Sequence, residues 1–452
     1  MSWSKQTVAD LKYAYAISAD DPDEAARICN AVFRDSPDNA AALYLLGSIN
    51  AKAERYAVAL PIYNLCTQIA PHRHEAWNNL GMCYVDCLEF IKARECFKTA
   101  LKLKPDEAPY MANLGATYAS ENNYAESIRW NKKALKLKPD NDGAAAALGF
   151  AQLATGDWKN GWKNFDYCLG GRFRKIIKIG EEPKWNGDYV DHLFIYGEQG
   201  LGDEIMYASC LNDIKVGHIA LECDKRLEGL FQRSFPNIEV HGTRREDKPW
   251  AEGRTFDAGS AMGSLPSIYR PLRESCPGTP YLVADPERRV QWRALFDYLG
   301  RKPKIGLCWS GGRAMTGKRF REVGVEAFEP LLDTYDADWF SLQYQDPDIN
   351  DSRIRHYKRA VQSKDYDDTA AFVAELDLVI GVNTTAQHLA GALGVPSIIL
   401  VPQICLWNYY MGDSLPWYGQ NKYHRQKKNE KWIDCIRRLD LSEHLLKWKE
   451  AA

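Results

Sequence analysis

Long apolar runs are missing from this chain of 452 residues, and no stretch reaches the roughly 20 residues that a bilayer-spanning helix needs. The opening "MSWSKQTVADLKYAYAISADD" breaks polarity every few residues, so it holds no secretory apolar core. Net charge is missing as well. With 58 Lys and Arg against 60 Asp and Glu the balance is −2, which argues against a nucleic-acid partner or attraction to anionic lipid. The most basic run, "KYHRQKKNEKW" near the end, reads as a solvated surface. The 12 cysteines include no CxxC pair, and Cys66, Cys83 and Cys96 sit among helix formers, the pattern of reduced thiols in a cytoplasmic protein. Cys83 and Cys87 are a helical turn apart, but no second pair or nearby His completes a zinc set, so no metal is expected. What is present is a soluble, globular balance of 45% hydrophobic and 26% charged residues, on a chain long enough for two or three domains.

The first third repeats itself. Gly47, Gly81, Gly115 and Gly149 follow one another at 34 residues, as do Pro37, Pro71, Pro105 and Pro139, and Tyr56, Phe90, Tyr124 and Trp158. Trp77, Leu80, Gly81, Tyr84, Ala93, Phe97, Ala100 and Pro105 make the fullest copy, which resembles the tetratricopeptide pattern at each of its usual positions. Leu80 and Tyr84 lie a turn apart on a first helix, and Ala93, Phe97 and Ala100 line one face of a second. The Gly allows the pair to approach closely and the Pro ends the second helix. One pair cannot bury its stripe alone, so the pairs stack into a solenoid with a concave binding surface. Three clear copies are expected between two degenerate ones, over residues 1–170. By itself such an array is an adaptor for a protein or peptide.

After a Gly- and aromatic-rich connector (171–189) the rhythm changes. "HLFIYG", "HIALEC" and "IEV" alternate with "DEIMYASCLNDI" and "RLEGLFQRSF"; from "KIGLCWSGG" onwards a second alternation runs through "DWFSLQY", "DLVIGV" and "PSIILV". Such alternation predicts parallel sheets with helices on both faces, here two Rossmann-like domains over 190–300 and 301–452. Ligands of such sheets sit beyond the carboxyl ends of the strands. Three loops there carry chemistry. In "YGEQGLGDEIMY", Gly200 and Gly202 permit a tight turn before a helix near Asp203, with neither a GxGxxG fingerprint nor a P-loop Lys-Ser/Thr. Asp203 suits both a capping role, which would lower its pKa, and that of a general base over the cleft. In "WSGGRAMTGKRFREV", Ser310, Gly311 and Gly312 offer backbone amides and a hydroxyl to a phosphate, with Lys318, Arg319 and Arg321 close behind as a diphosphate clamp. In "VIGVNTTAQHLAGALGVPSII", a helix from Thr384 to Leu393, ended by Gly394, begins between two buried strands. Its free N–H groups and positive dipole end make an anion site flanked by Asn383, Thr384 and Thr385, with His388 on the same face.

"GEQGLGDEIMYAS", "GLCWSGG…KRFREV", "FSLQ", "DLVIGVNTTAQHLAGALGVPSIILVP" and "SLPWYGQNKYHRQ…KWIDCI" come in the order seen in bacterial tetratricopeptide-containing glycosyltransferases, which the chain resembles to about residue 440. Its second half is also similar to the heptosyltransferases and, more distantly, to the O-linked N-acetylglucosamine transferase. The resemblance implies a GT-B fold, a nucleotide-sugar substrate with no further cofactor, and metal-independent, inverting transfer. It places Asp203 as base beside the acceptor-side loop of Gly200 and Gly202. Ser310, Gly311, Gly312, Arg319, Arg321, Gln343, Asn383, Thr384, Thr385 and His388 fall on the donor side. Many relatives carry Asp where this chain has Asn383. "QDPDIN", with Asp346 and Asp348, imitates a DxD motif but reads as loop. Trp417 and Tyr418 suit either the floor of a sugar pocket or core packing. The expected function is sugar transfer to a hydroxyl of a protein or peptide bound by the repeats. The rivals are a non-catalytic repeat scaffold with a relic transferase half, and an enzyme acting on a glycan or lipid-linked acceptor.

Overall fold

The computed structural model describes residues 4–171, 174–244, 246–311, 321–344, 349, 351–362, 364–404 and 412–445. The chain divides into two compact units, Met1–Ala151 and Gln152–Ala452.

The first unit is a stack of helix pairs. Its helices are α1 (Lys5–Ile17), α2 (Pro22–Asp35), α3 (Ala40–Lys52), α4 (Tyr56–Ile69), α5 (His74–Asp86), α6 (Phe90–Leu103), α7 (Ala108–Ala119), α8 (Tyr124–Leu137) and the start of α9 (Asp142–Thr155). Local chemistry sets the boundaries. Asp21 accepts from the Glu24 N–H and precedes Pro22 at the first position of α2; Asn39 accepts from the Ala41 and Ala42 N–H groups ahead of α3. The repeat glycines mark close approach. A Cβ on Gly81 would lie 2.7 Å from the Phe97 ring, and one on Gly47 would lie 2.8 Å from Tyr63. The period also appears in the backbone. Glu54, Leu88 and Asn122, each 34 residues from the next, turn the chain within a pair at φ 58, 62 and 60, and Gly156 follows at φ 92.

The second unit continues from the end of α9 into α10 (Trp158–Phe165). It then runs through β1 (His192–Tyr196), α11 (Leu201–Ala208), β2 (His218–Glu222), α12 (Glu228–Ser234), β3 (Glu239–His241), β4 (Ala258–Ala261), α13 (Pro266–Tyr269) and α14 (Pro286–Leu299). The second half holds β5 (Lys304–Cys308), α15 (Glu329–Thr334), β6 (Asp338–Ser341), β7 (Ile354–Arg355), α16 (Lys358–Val361), α17 (Asp367–Val373), β8 (Leu378–Val382), α18 (Thr385–Leu393), β9 (Ser397–Val401), β10 (Asn421–Arg425) and α19 (Trp432–Arg437). Two sheets result, ordered β3-β2-β1-β4 and β10-β9-β8-β5-β6-β7, with every pairing parallel. β5, β8 and β9 are buried along their whole length, as parallel strands covered on both faces are. Ile305, Leu307, Ile380, Val382, Ile398 and Leu400 form the middle of that core, covered by Phe328, Leu331 and Ile436.

Three short strands escape the alternating pattern. β4 is the small-residue segment "AGSA", β7 has two residues, and β10 takes up the head of the basic run read as solvated surface. In β10, Asn421 is buried and Lys422 exposed, so this edge strand carries its charges outward. Strand order reverses between β1 and β4 in one sheet and between β5 and β8 in the other. The crevice beyond such a reversal is where open parallel sheets bind ligands. The loops after β1, β5 and β8 all lie there.

Candidate functional site

β1 ends at Tyr196, and Gly200 is the N-cap of α11. The Gly200 N–H donates to Asp203 Oδ2 at 3.1 Å, so Asp203 does cap the helix. Of the two roles the sequence leaves open, the cap is formed, yet its pull on the carboxyl does not prevail. Burial outweighs the Gly200 bond, nearby Glu198 adds to it, and Arg321 and Arg244 pull back less, leaving Asp203 pushed up to about 6. Desolvation of the charged form dominates. A carboxylate poised near neutral pH is a better proton acceptor than an ordinary Asp.

Two buried guanidinium groups hold this loop, and neither was legible in the sequence. Arg174 Nε donates to Glu198 at 2.9 Å, its Nη1 to Asp166 at 3.1 Å and its Nη2 to Ser264 at 3.0 Å. Arg244 bonds the Gln199 carbonyl, pairs with Glu204, and reaches Asp224 at 3.0 Å. Removing one partner from a buried pair strands the other charge, at a cost of about 3–5 kcal/mol.

Across from this loop, Ser310 and Gly311 follow β5. Gln343, just beyond β6, brackets Ser310. In the amide orientation that satisfies both ends it donates to the Ser310 carbonyl at 3.0 Å. It also accepts from the Ser310 N–H at 3.0 Å, its hydroxyl at 2.8 Å and Trp309 Nε1 at 3.2 Å. The phosphate cradle read from the sequence thereby loses two donors, because the Ser310 N–H and hydroxyl are already engaged. A Cβ on Gly311 would lie 2.6 Å from Thr384 Cγ2, so the loops after β5 and β8 touch.

The third loop begins α18, with Thr384 as N-cap and Gly394, at φ 82, as the left-handed stop. Arg321 is 8% exposed, and its Nη1 donates to the Asn383 carbonyl at 2.8 Å. The guanidinium therefore points into the protein at the start of α18. Asn383 is buried, and its Oδ1 has no hydrogen-bond partner among the described residues. α11 and α18 pack by their first turns: a Cβ on Gly202 would meet His388 Cδ2 at 3.0 Å and Thr385 Cα at 3.5 Å. The two sheets thus bring Asp203, Arg321, Asn383, Thr384, Thr385 and His388 together. His388 Nδ1 lies 2.9 Å from the Tyr418 hydroxyl, and burial, with help from Arg321, lowers its pKa to about 4, so the ring is neutral.

Of the two aromatics singled out in "LPWY", Trp417 belongs to a core cluster. It stacks on Trp158 at 5.9 Å and meets Trp162 and Tyr207 edge-on at 6.0 and 6.3 Å. Tyr418, also buried, reaches the site through His388. Gly312, Lys318, Arg319, Asp346 and Asp348 lie outside the described residues. Among the described residues no group of His, Cys, Asp and Glu is placed to hold a metal ion, and no helix is long and apolar enough to cross a membrane.

The first unit carries its own concavity, a groove of about 610 Å³ lined by Tyr15, Tyr44, Tyr56, Tyr63, Arg73 and Asn79 among others. Its polar groups interlock: Asn79 Nδ2 donates to the Tyr63 hydroxyl at 3.1 Å and the Tyr44 hydroxyl at 3.3 Å. Arg73 lies over the Tyr44 ring at 4.9 Å.

Comparison with known proteins bears on the first unit most directly. Tetratricopeptide repeat family models match residues 15–74, 74–107 and 108–141. Protein FlbA of Caulobacter vibrioides is 31% identical over 297 residues, covering 59% of this chain and 49% of that protein. The chain thus spans about half the length of this curated relative. Among solved structures, MamA of Desulfovibrio magneticus RS-1 covers 37% of this chain and 93% of its own at 17% identity and a TM-score of 0.33. YrrB, described as a TPR protein with an unusual peptide-binding site, covers 36% of this chain and 84% of its own at 15% identity and a TM-score of 0.31. Residues 15–141 thus carry tetratricopeptide repeats, and a region of parallel sheets and helices follows.

Proposed function

We propose that this protein is a glycosyltransferase of GT-B type, taking a sugar from a nucleoside-diphosphate donor to a hydroxyl of a polypeptide held by the repeats. The observation that carries the reading is the pairing, across two parallel sheets, of a carboxyl raised to about 6 with a buried Arg at a helix start. The acceptor oxygen attacks the anomeric carbon while the bond from that carbon to the diphosphate oxygen breaks. The electron pair leaves with the nucleoside diphosphate, and the acceptor proton passes to Asp203. Arg321 and the first N–H groups of α18 stabilise the charge that builds on the departing phosphate. The buried, unpartnered Asn383 Oδ1 marks a place for a donor group on the ligand, since leaving such an atom unsatisfied costs about 1–3 kcal/mol. A groove lined with tyrosines, Asn79 and Arg73 suits a polypeptide, and carrying binding and chemistry on one chain raises the effective acceptor concentration toward the millimolar range.

The test is intact-mass measurement of polypeptides that bind the repeats after incubation with the full chain and a panel of nucleotide sugars. A hexose-sized or larger mass increment, absent with Asp203→Asn, is the expected result. Polypeptides that bind but gain no mass with any donor point instead to a non-catalytic scaffold, the reading favoured by Asn383 standing where many relatives carry Asp.

A further inference from the structure

The groove of the first unit draws its lining from α1, α3, α4 and α5. Most of its hydrogen-bonding groups are spent within the repeats. Asn79 Nδ2 gives its hydrogens to the Tyr63 and Tyr44 hydroxyls, and Asn79 Oδ1 accepts from Asn78 Nδ2 at 3.2 Å. The Ser48 hydroxyl donates to the Tyr44 carbonyl at 2.9 Å, so the Tyr63 hydroxyl supplies the hydrogen of its own 2.9 Å contact with Ser48.

What is left over is donors. The Tyr44 hydroxyl accepts from Asn79, and its own hydrogen meets no acceptor among the described residues. The half-buried Arg73 guanidinium makes no hydrogen bond or ion pair among them either. Its contact with the face of the Tyr44 ring uses none of its N–H groups. The spare hydroxyl and the unpaired cation thus belong to one patch.

The other charges of the groove do not cancel that patch. Arg73 is the N-cap of α5, and Asp86 is the last residue of the same helix. At about 1.5 Å per residue the two stand about 20 Å apart, more than two Debye lengths at physiological salt. Lys52, the last residue of α3, precedes Asp86 by one 34-residue repeat, so the far end of the groove carries both signs. Exposed Tyr15 and Met82 add apolar surface to the lining. Donors without acceptors, a net positive end and an aromatic wall are the complement of a carboxylate beside an apolar side chain.

We infer that the groove selects an acidic stretch of its polypeptide partner, a Glu or Asp side chain docking on Arg73 and the Tyr44 hydroxyl while an apolar neighbour lies against the tyrosines. That the partner is a sugar acceptor rests on the proposed function; the charge it carries does not. An acceptor has to run on beyond the groove to be modified, which assigns the carboxylate to a side chain and not to a chain end.

Fluorescence anisotropy of labelled peptide sets with the full chain, in the absence of any nucleotide sugar, is the test. The peptides are blocked at both ends, with random flanks around a central Phe-Glu, Phe-Gln or Phe-Lys. A further set carries Phe-Gln and a free C-terminal carboxylate. The Phe-Glu set is expected to bind about tenfold or more tighter than the Phe-Gln set, the scale of a charge-assisted hydrogen bond, with Phe-Lys weakest and the gap narrowing at about 1 M salt. Arg73→Gln closes the gap, Arg73→Lys keeps part of it, and Asp86→Asn leaves it unchanged. Equal binding of the Glu and Lys sets, a gap that survives Arg73→Gln, binding confined to the free C-terminus, or no binding by any set overturns the inference. If Arg73→Gln fails to fold, the ranking of the Glu, Gln and Lys sets by the wild type decides. Acid-selective binding by a chain that transfers no sugar would leave this inference standing and remove the proposed function. Sugar transfer to a polypeptide bound without charge preference would do the reverse.

Discussion

At the scale of single residues, burial decides the chemistry of Asp203. Its sequence position, three residues after the N-cap glycine, is that of an acid made stronger by a helix start. Desolvation reverses the sign. A carboxyl whose pKa in the folded chain lies above its unfolded value binds more protons when folded. Its contribution is full below the ordinary Asp value of about 3.9 and is lost as pH rises through about 6. Two outcomes follow for Asp203→Asn. Under the proposed transfer reaction, turnover falls by about 10²–10⁴, and an acid limb expected near pH 6 in the wild type disappears. The variant is also more resistant to heat than the wild type at pH 8, with the gain vanishing near pH 4. Thermal scans at the two pH values check the second outcome. A variant less stable at both would show that the carboxylate is stabilising and the raised pKa wrong.

At the scale of elements, the site is made where two helices begin. α11 and α18 meet through Gly202, where an added methyl group would crowd the His388 ring at 3.0 Å while resting in ordinary contact with Thr385. Gly202→Ala is expected to destabilise the chain by about 1–3 kcal/mol, the usual effect of overpacking, and to reduce turnover more than Gly200→Ala does. Denaturant unfolding paired with activity measures both. α10 is fixed by its aromatic face: Trp162 is buried against Phe165, Tyr207 and Trp417 at 5.5, 6.4 and 6.0 Å. Trp162→Ala should lose about 3–5 kcal/mol in the same assay. In the repeats, exposed Glu54 holds φ 58 at a turn where the equivalent position two copies past Leu88 is Gly156. Glu54→Gly relieves a left-handed backbone worth about 1–2 kcal/mol against a smaller entropic loss, so a modest rise in melting temperature is expected.

At the scale of the whole molecule, the sequence tells most about what recurs and least about what is brought together from afar. The 34-residue step of Gly and Pro returns as helix pairs, because each repeat states its own packing locally. The strand-end loops are legible for a related reason: Gly200, Gly202, Gly394 and Thr384 are read from neighbours a few residues away. Arg174 with Glu198, Arg244 with Glu204, and Tyr418 with His388 join residues 24 to 40 positions apart, and no spacing rule announces them. β4 and β10 are not announced by the apolar pattern, because small residues in one and charges in the other hide the strand.

The central claim is that Arg321 and the first turn of α18 grip a diphosphate. Calorimetric titration of the full chain with nucleoside diphosphates, beside Arg321→Ala and wild-type-like folding controls, tests it most directly. The account predicts saturable binding of at least one diphosphate, weakened by about 2.7–4 kcal/mol in Arg321→Ala and spared in Arg73→Ala of the repeat groove. No heat from any nucleoside diphosphate, or equal binding by the Arg321→Ala chain, would contradict it.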